Sequence, residues 1–275
     1  INTGNVNGTS NVGGIIGNMN GGKLGLGERG LLVDEETHNV GKITGSNASV
    51  GGLVGMATNA RIGGYKDDAH NPDHTSNNIE MNANAIYNAA AVEGKYNVGG
   101  IVGQATDTSV INVRNETSVL ATGYTTEDYK FRTDYIGYTT DANGMFTIKV
   151  RMANAGGIVG KATGTGDKKS NIFKTVNSGD VQSKLLTGNQ NEDTIILDHY
   201  AAGNVGGIVG SAKNTNIYDV TNKENEVRGA MNVGGVAGYF GTTNDATNAD
   251  TTEYRLSHAE NDGGNILATG GIAEK

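Results

Sequence analysis

Hydrophobic and polar positions alternate along this chain in one recurring seven-residue phrase. A polar residue is followed by a small or β-branched apolar one, two glycines, two aliphatics and a third glycine. The phrase occurs as Asn11-Val12-Gly13-Gly14-Ile15-Ile16-Gly17, Ser49-Val50-Gly51-Gly52-Leu53-Val54-Gly55 and Asn97-Val98-Gly99-Gly100-Ile101-Val102-Gly103. It returns as Asn154-Ala155-Gly156-Gly157-Ile158-Val159-Gly160, Asn204-Val205-Gly206-Gly207-Ile208-Val209-Gly210 and Asn232-Val233-Gly234-Gly235-Val236-Ala237-Gly238. A self-similar period of this kind marks a stacked repeat architecture. The shortest interval, about 28 residues from Asn204 to Asn232, displays the bare unit. It holds three short β-prone runs: the heptad, Asn216–Val220 and Glu226–Met231, separated by Asn- and Gly-rich turns. Val110–Val113 and Asn171–Val176 echo the second run. Lys42–Gly45 and Lys184–Gly188 echo the third.

The pattern predicts an all-β fold: a β-solenoid (β-helix) of six to seven three-strand coils in one elongated domain over residues 1–275. Equivalent residues of stacked coils lie about 4.8 Å apart, so Val98, Ile101 and Val102 should form continuous interior columns with their counterparts. Paired glycines allow close backbone approach. The first-position asparagines at 11, 97, 154, 204 and 232 can bond to one another along the axis, and Ser49 should interrupt that ladder.

Intervals longer than the bare unit predict insertions at about 61–96, 117–153, 163–200 and 240–262. The first carries a helix candidate, capped by Ser76 or Asn77, with Ile79, Ala83, Ile86 and Ala90 at helical spacing and Gly94 at its end. The second reads as a β-hairpin turning at Asp141-Ala142-Asn143-Gly144. The last two read as polar loops, and Ile266–Gly270 as the possible start of another coil.

Composition sharpens the class. Of 275 residues, 44 are Gly, 1 is Pro, none is Cys or Trp, and the net charge is −8. So many small residues favour a narrow stacked rod over a bulky core. The absence of Cys excludes disulfides and thiolate chemistry. The acidic balance disfavours nucleic acid, and no run of about 18 apolar residues predicts a membrane span. The chain begins at Ile1 inside a repeat-like stretch, as expected of a processed form or a piece of a longer protein.

Gly-Gly-[Ile/Leu]-Val-Gly after a short residue and Val resembles the GLUG motif of bacterial surface proteins. Gly52-Leu53-Val54-Gly55 is its most literal copy, and Gly235-Val236-Ala237-Gly238 departs furthest. Gly4-Asn5-Val6 and Gly41-Lys42-Ile43 match the family's upstream Gly-x-Val/Ile element. The resemblance runs to about Gly238. It implies a secreted or surface-anchored, adhesin-like bacterial protein with no catalytic residues.

The chemistry-bearing candidates lie in the insertions. Asp67, His70, Asp73 and His74, with Asp68, form a metal-like cluster, although Pro72 between the histidines argues for a solvated loop. Asp141 and Asn143 begin a Ca²⁺-loop-like stretch that lacks the closing Glu, so a hairpin turn competes with an ion site. No cofactor is expected beyond Ca²⁺ as a candidate ion. Tyr124, Tyr129, Tyr135 and Tyr138 form either a stacking surface for a glycan or protein, or the small core of the hairpin. No Gly-x4-Gly-Lys-[Ser/Thr] loop or nucleophile elbow is present. The expected role is a non-enzymatic extracellular scaffold presenting loops to host, matrix or neighbouring cells. A filament or surface-layer subunit that self-associates end to end is one alternative, and a β-helix polysaccharide-degrading enzyme is another.

Overall fold

The computed structural model describes residues 1–25, 37–63, 86–123, 137–140, 146–149, 153–183, 202–229, 232–242 and 254–268. Among them every regular element is a β-strand, and no helix is long and apolar enough to cross a membrane. Apart from one antiparallel pair, the strands form four parallel sheets, an arrangement of the β-helix kind. The first sheet stacks Val12–Gly13, Ala48–Gly51, Tyr96–Gly99, Ala153–Gly156, Ala202–Gly206 and Val233–Gly234. The second stacks Ile16–Asn20, Val54–Thr58, Val102–Thr106, Val159–Thr163, Val209–Lys213 and Ala237–Gly241. The chain then enters the third sheet, where Ser170–Asn177, Thr215–Lys223 and Leu256–Asp262 are single strands and earlier passages are split in two, as at Ser109–Ile111 and Val113–Asn115. The fourth sheet runs from Val6–Gly8 through Ile43–Gly45, Val92–Gly94, Val119–Ala121, Val181–Ser183 and Glu226–Gly229 to Asn265–Ala268.

Each passage therefore feeds four sheets, where three runs per unit were expected. The difference arises inside the heptad. Its glycine pair turns the chain, so that one motif supplies the end of one strand and the start of the next. The turns stack directly: the amides of Leu53 and Val54 both donate to the Ile101 carbonyl at 3.0 Å, and those of Ile101 and Val102 donate to Ile158 in the same way. This proximity explains the glycines. A Cβ on Gly99 would lie 2.0 Å from the Val102 carbonyl oxygen, and one on Gly100 would lie 2.1 Å from that of Gly157. The third glycine meets the preceding passage: a Cβ on Gly103 would lie 2.4 Å from the Val50 amide nitrogen.

The expected apolar columns are present. Val12, Val50, Val98, Ala155, Val205 and Val233 are in register in the first sheet, and Ile16, Val54, Val102, Val159, Val209 and Ala237 in the second. The first and fourth sheets enclose one apolar cluster, built on Ile43, Val50, Val98, Val119, Val181 and Val205. The second and third enclose another, built on Leu53, Ile62, Ile101, Ile158, Ile172 and Ile208. Along the chain the second glycine of each pair falls between the residues that feed these two clusters.

Against that glycine stands an interior column of amides. Asn2 donates to Asn39, Asn39 to Asn88, Asn88 to Asn115, Asn115 to Asn177, Asn177 to Asn222 and Asn222 to Asn261, each from Nδ2 to Oδ1 over 2.6–2.9 Å. The five central members are fully buried. Most also donate to the carbonyl two residues on, as Asn39 does to Gly41 and Asn177 to Gly179. A Cβ on Gly100 would fall 2.4 Å from Cγ of Asn115, and one on Gly52 equally close to that of Asn88. Glycine and asparagine thus specify one another across the interior: the amide fits only where the facing backbone carries no side chain, and its buried polar atoms are satisfied along the axis.

The insertions are shorter than expected. Arg61–Gly63, Ile86–Asn88 and Val92–Gly94 belong to sheets, so the first shrinks to the stretch between 63 and 86. Ile86 and Gly94 lie in strands, not in the expected helix; Ile79 and Ala83 lie outside the described residues. Val119–Ala121, Ser170–Asn177 and Val181–Ser183 likewise rejoin the stack. Val181–Ser183, not Lys184–Gly188, supplies the fourth-sheet strand of its passage, and Lys184–Gly188 lies outside the described residues. Leu256–Asp262, expected as a polar loop, is a strand, because the adjacent Thr215–Lys223 presents a full ladder of pairing groups. Asn265–Ala268 pairs with Glu226–Gly229 and so completes the sixth passage rather than starting another. The hairpin strands are present as Gly137–Thr140 antiparallel to Phe146–Lys149.

Candidate binding groove

The first residue of each heptad sits where the chain enters the turn. Asn11, Ser49, Asn97 and Asn232 have φ of 54°, 60°, 53° and 34°, a left-handed conformation in which Asn is several-fold enriched. Their side chains build a second amide ladder, separate from the interior one. Asn232 Nδ2 donates to Asn204 Oδ1 at 2.8 Å, Asn204 to Asn154 at 2.7 Å, and Asn154 to Asn97 at 2.7 Å. At Ser49 the ladder stops, as expected. There Gln104 reaches across, its Oε1 accepting from Asn97 Nδ2 at 3.1 Å and from Ser49 Oγ at 3.4 Å.

This ladder forms the floor of a groove that follows the stacking axis across successive passages. One wall carries Gln104, Lys161, Ser211 and Tyr239, which are consecutive register partners in the second sheet. The other carries Ala48 and Tyr96 at the start of first-sheet strands. The Tyr96 hydroxyl donates to Asn47 Oδ1 at 2.8 Å, which fixes the ring along that wall. Lys213 lies over the Tyr239 ring, its Nζ 5.7 Å from the centroid. Among the described residues the lining includes Lys161 and Lys213 and no Asp or Glu, although the whole chain carries a net charge of −8.

A second set of stacked groups lies on the third sheet. His38 and Tyr87 are in register, with ring centroids 4.7 Å apart and planes 6° from parallel. The Arg114 guanidinium covers the other side of Tyr87 at 4.3 Å. Phe173 and Tyr218 stack at 4.8 Å. Register alone brings these together, because equivalent positions repeat at about the stacking distance of aromatic rings.

The residues singled out from sequence fall mostly elsewhere. Asp67, His70, Asp73, His74, Asp141, Asn143, Tyr124, Tyr129 and Tyr135 lie outside the described residues. Tyr138 is in a hairpin strand, its backbone paired with Ile148. Among the described residues no three His, Asp or Glu side chains gather as a metal site. The twelve heptad glycines all stand at the stacked turns. Sequence reasoning missed the groove walls. Gln104, Lys161, Ser211 and Tyr239 each lie one residue beyond the heptad, an offset that becomes meaningful only once the heptads are stacked. No protein-family model, curated protein or solved structure matches the chain.

Proposed function

We propose that this chain is a non-enzymatic scaffold of the bacterial cell surface or extracellular space, a β-solenoid whose six passages close as successive coils and whose insertions contact a protein or glycan ligand. The carrying observation is how the repeated residues are employed. Both backbone-facing glycines, the apolar columns and the interior asparagines are committed to holding one layer on the next. What varies is the length of chain between sheets. Gly94 and Tyr96 are joined by Lys95 alone, whereas Ala121 and Ala153, at the equivalent junction, are separated by the Tyr-rich insertion. Variable connections on an invariant stack are where repeat scaffolds place recognition. The resemblance to GLUG-motif surface proteins supports the same reading.

The test couples full-length protein to fluorescent beads and measures their retention on bacterial, host-cell and extracellular-matrix surfaces. Replacing residues 124–152 with a single lysine, which shortens the junction between Ala121 and Ala153 to Thr122-Gly123-Lys, is expected to preserve the fold and abolish retention. Retention unchanged by this replacement, or none with the full chain, would contradict the proposal.

A second reading is end-to-end assembly. Tyr239, Phe240, Leu256 and Ile266 of the sixth passage are 37–42% exposed, while their register partners in the fifth, Ser211, Ala212, Ile217 and Val227, are buried. Such a layer resembles an uncapped repeat end. Electron microscopy of concentrated protein showing rods longer than one chain supports this reading; uniform single-chain particles oppose it.

A further inference from the structure

One hydrogen-bond pattern recurs at every junction between passages and is left unfinished at the sixth. The amides of Ile15 and Ile16 donate to the Leu53 carbonyl, and those of Leu53 and Val54 to Ile101. Ile101 and Val102 donate to Ile158, Ile158 and Val159 to Ile208, and Ile208 and Val209 to Val236. The equivalent amides of Val236 and Ala237 have no acceptor among the described residues. The outer ladder ends in the same way. Each rung donates towards the preceding passage, so Asn232 Oδ1 receives no donor among the described residues. Phe240 and Leu256 lie exposed beside these groups, although their partners Ala212 and Ile217 are fully buried. At the opposite end of the stack the corresponding Met19 is buried and Leu24 half-buried.

We propose that the edge of the sixth passage takes up a strand of a second polypeptide that carries this chain's own phrase, Asn-x-Gly-Gly-aliphatic-aliphatic-Gly, laid parallel as a further layer. The inference deepens the end-to-end reading, on which it rests, by naming what the exposed layer accepts. Strand addition draws affinity from main-chain hydrogen bonds and selectivity from side-chain positions. Here the selective positions are glycines. A Cβ on Gly238 would lie 2.4 Å from the Val205 amide nitrogen, and one on Gly210 would lie 2.7 Å from that of Ala155. An arriving strand therefore needs glycine where it crosses the Val233 amide. Its first glycine serves its own turn, since a Cβ on Gly206 would lie 2.1 Å from the Val209 carbonyl oxygen. Its leading asparagine supplies the donor that Asn232 lacks. A strand without the phrase strikes backbone at the third glycine and leaves the Asn232 oxygen without a partner.

The experiment is disulfide capture, which registers weak occupancy and suits a chain that has no cysteine. A synthetic peptide copying residues 204–220 with Ser211→Cys is equilibrated in thiol–disulfide buffer with the full chain carrying Tyr239→Cys. Ser211 and Tyr239 are register partners, so a peptide docked as the next layer places its thiol-bearing residue about 4.8 Å from position 239. The expected result is covalent capture at about tenfold higher yield than two controls. One is the same peptide with Gly210→Val. The other is the full chain carrying Asn18→Cys, the register-equivalent position of the first passage. Equal capture of the valine peptide, equal capture at position 18, or no capture above a scrambled peptide in folded protein would each overturn the proposal. Rods in electron micrographs without capture remove this inference and leave the end-to-end reading. Capture with uniformly single-chain particles does the reverse.

Discussion

Three residues expose the physics of stacking most directly. Gly100 has backbone on one side and a buried amide on the other. An added methyl would press on the Gly157 carbonyl at 2.1 Å and on Asn115 at 2.4 Å. Neither neighbour is the end of a flexible side chain, so Gly100→Ala is expected to cost about 3 kcal/mol, the upper part of the range for overpacking. A shift in the urea midpoint at constant slope would measure this. Asn115 is fully buried; it donates to Asn177 and the Thr117 carbonyl and accepts from Asn88. Asn115→Ala strands a donor and two acceptors and should likewise cost about 3 kcal/mol. Asn115→Asp tests the chemistry further. An ionised carboxylate can accept from Asn88 but cannot donate to Asn177, so burial and the facing oxygens push its carboxyl pKa up in the folded state. The acid form supplies a donor. The variant should therefore be most stable below the unfolded carboxylate pKa and lose stability as pH rises towards the raised folded value. Stability independent of pH between about 4 and 8 would contradict the ladder. At Ser49 the sign reverses: Ser49→Asn suits the left-handed backbone at φ 60° and restores a rung to the outer ladder. It should stabilise the chain by about 1 kcal/mol.

At the scale of elements, the repeated phrase made much of the architecture legible. Parallel layers, interior columns at Val98, Ile101 and Val102, the Asn97–Asn154–Asn204–Asn232 ladder and its break at Ser49 all follow from six aligned heptads. The turn within the heptad was hidden, because two adjacent glycines do not announce which neighbouring backbone they approach. The interior ladder was hidden for a related reason. Asn39, Asn88, Asn115, Asn177 and Asn222 lie at unequal distances from their heptads, and stacking alone aligns them. Their local trace is the Asn-x-Gly of Asn2–Gly4, Asn39–Gly41 and Asn177–Gly179, just upstream of the Gly-x-Val/Ile element. The helical spacing of Ile86 and Ala90 misled because strand pairing with Val113–Asn115 outweighs local propensity. The same logic makes insertions separable from layers. The single-lysine replacement of residues 124–152 should leave the far-UV spectrum of a β protein and a melting temperature within about 4 °C of the parent, since it removes the hairpin pair but no residue of the four stacked sheets.

For the whole molecule, each layer contacts chiefly the layers beside it, so stability accumulates along the axis and depends on register being kept throughout. One-residue slips would send every interior valine outward; the two asparagine columns penalise such slips, because a displaced amide meets no partner. The chain lacks cysteine, which allows the register to be read by engineered disulfides. Thr58, Thr106 and Thr163 are consecutive partners in the second sheet. Neighbouring strands place their Cα atoms about 4.8 Å apart, inside the disulfide range, and alternate layers about 9.5 Å apart, beyond it. Under mild oxidation, Thr58→Cys with Thr106→Cys and Thr106→Cys with Thr163→Cys should each close an intramolecular bond. Thr58→Cys with Thr163→Cys should remain reduced. Ready closure of the skipped pair, or failure of both adjacent pairs in folded protein, would contradict the stacking of successive heptads as neighbouring layers.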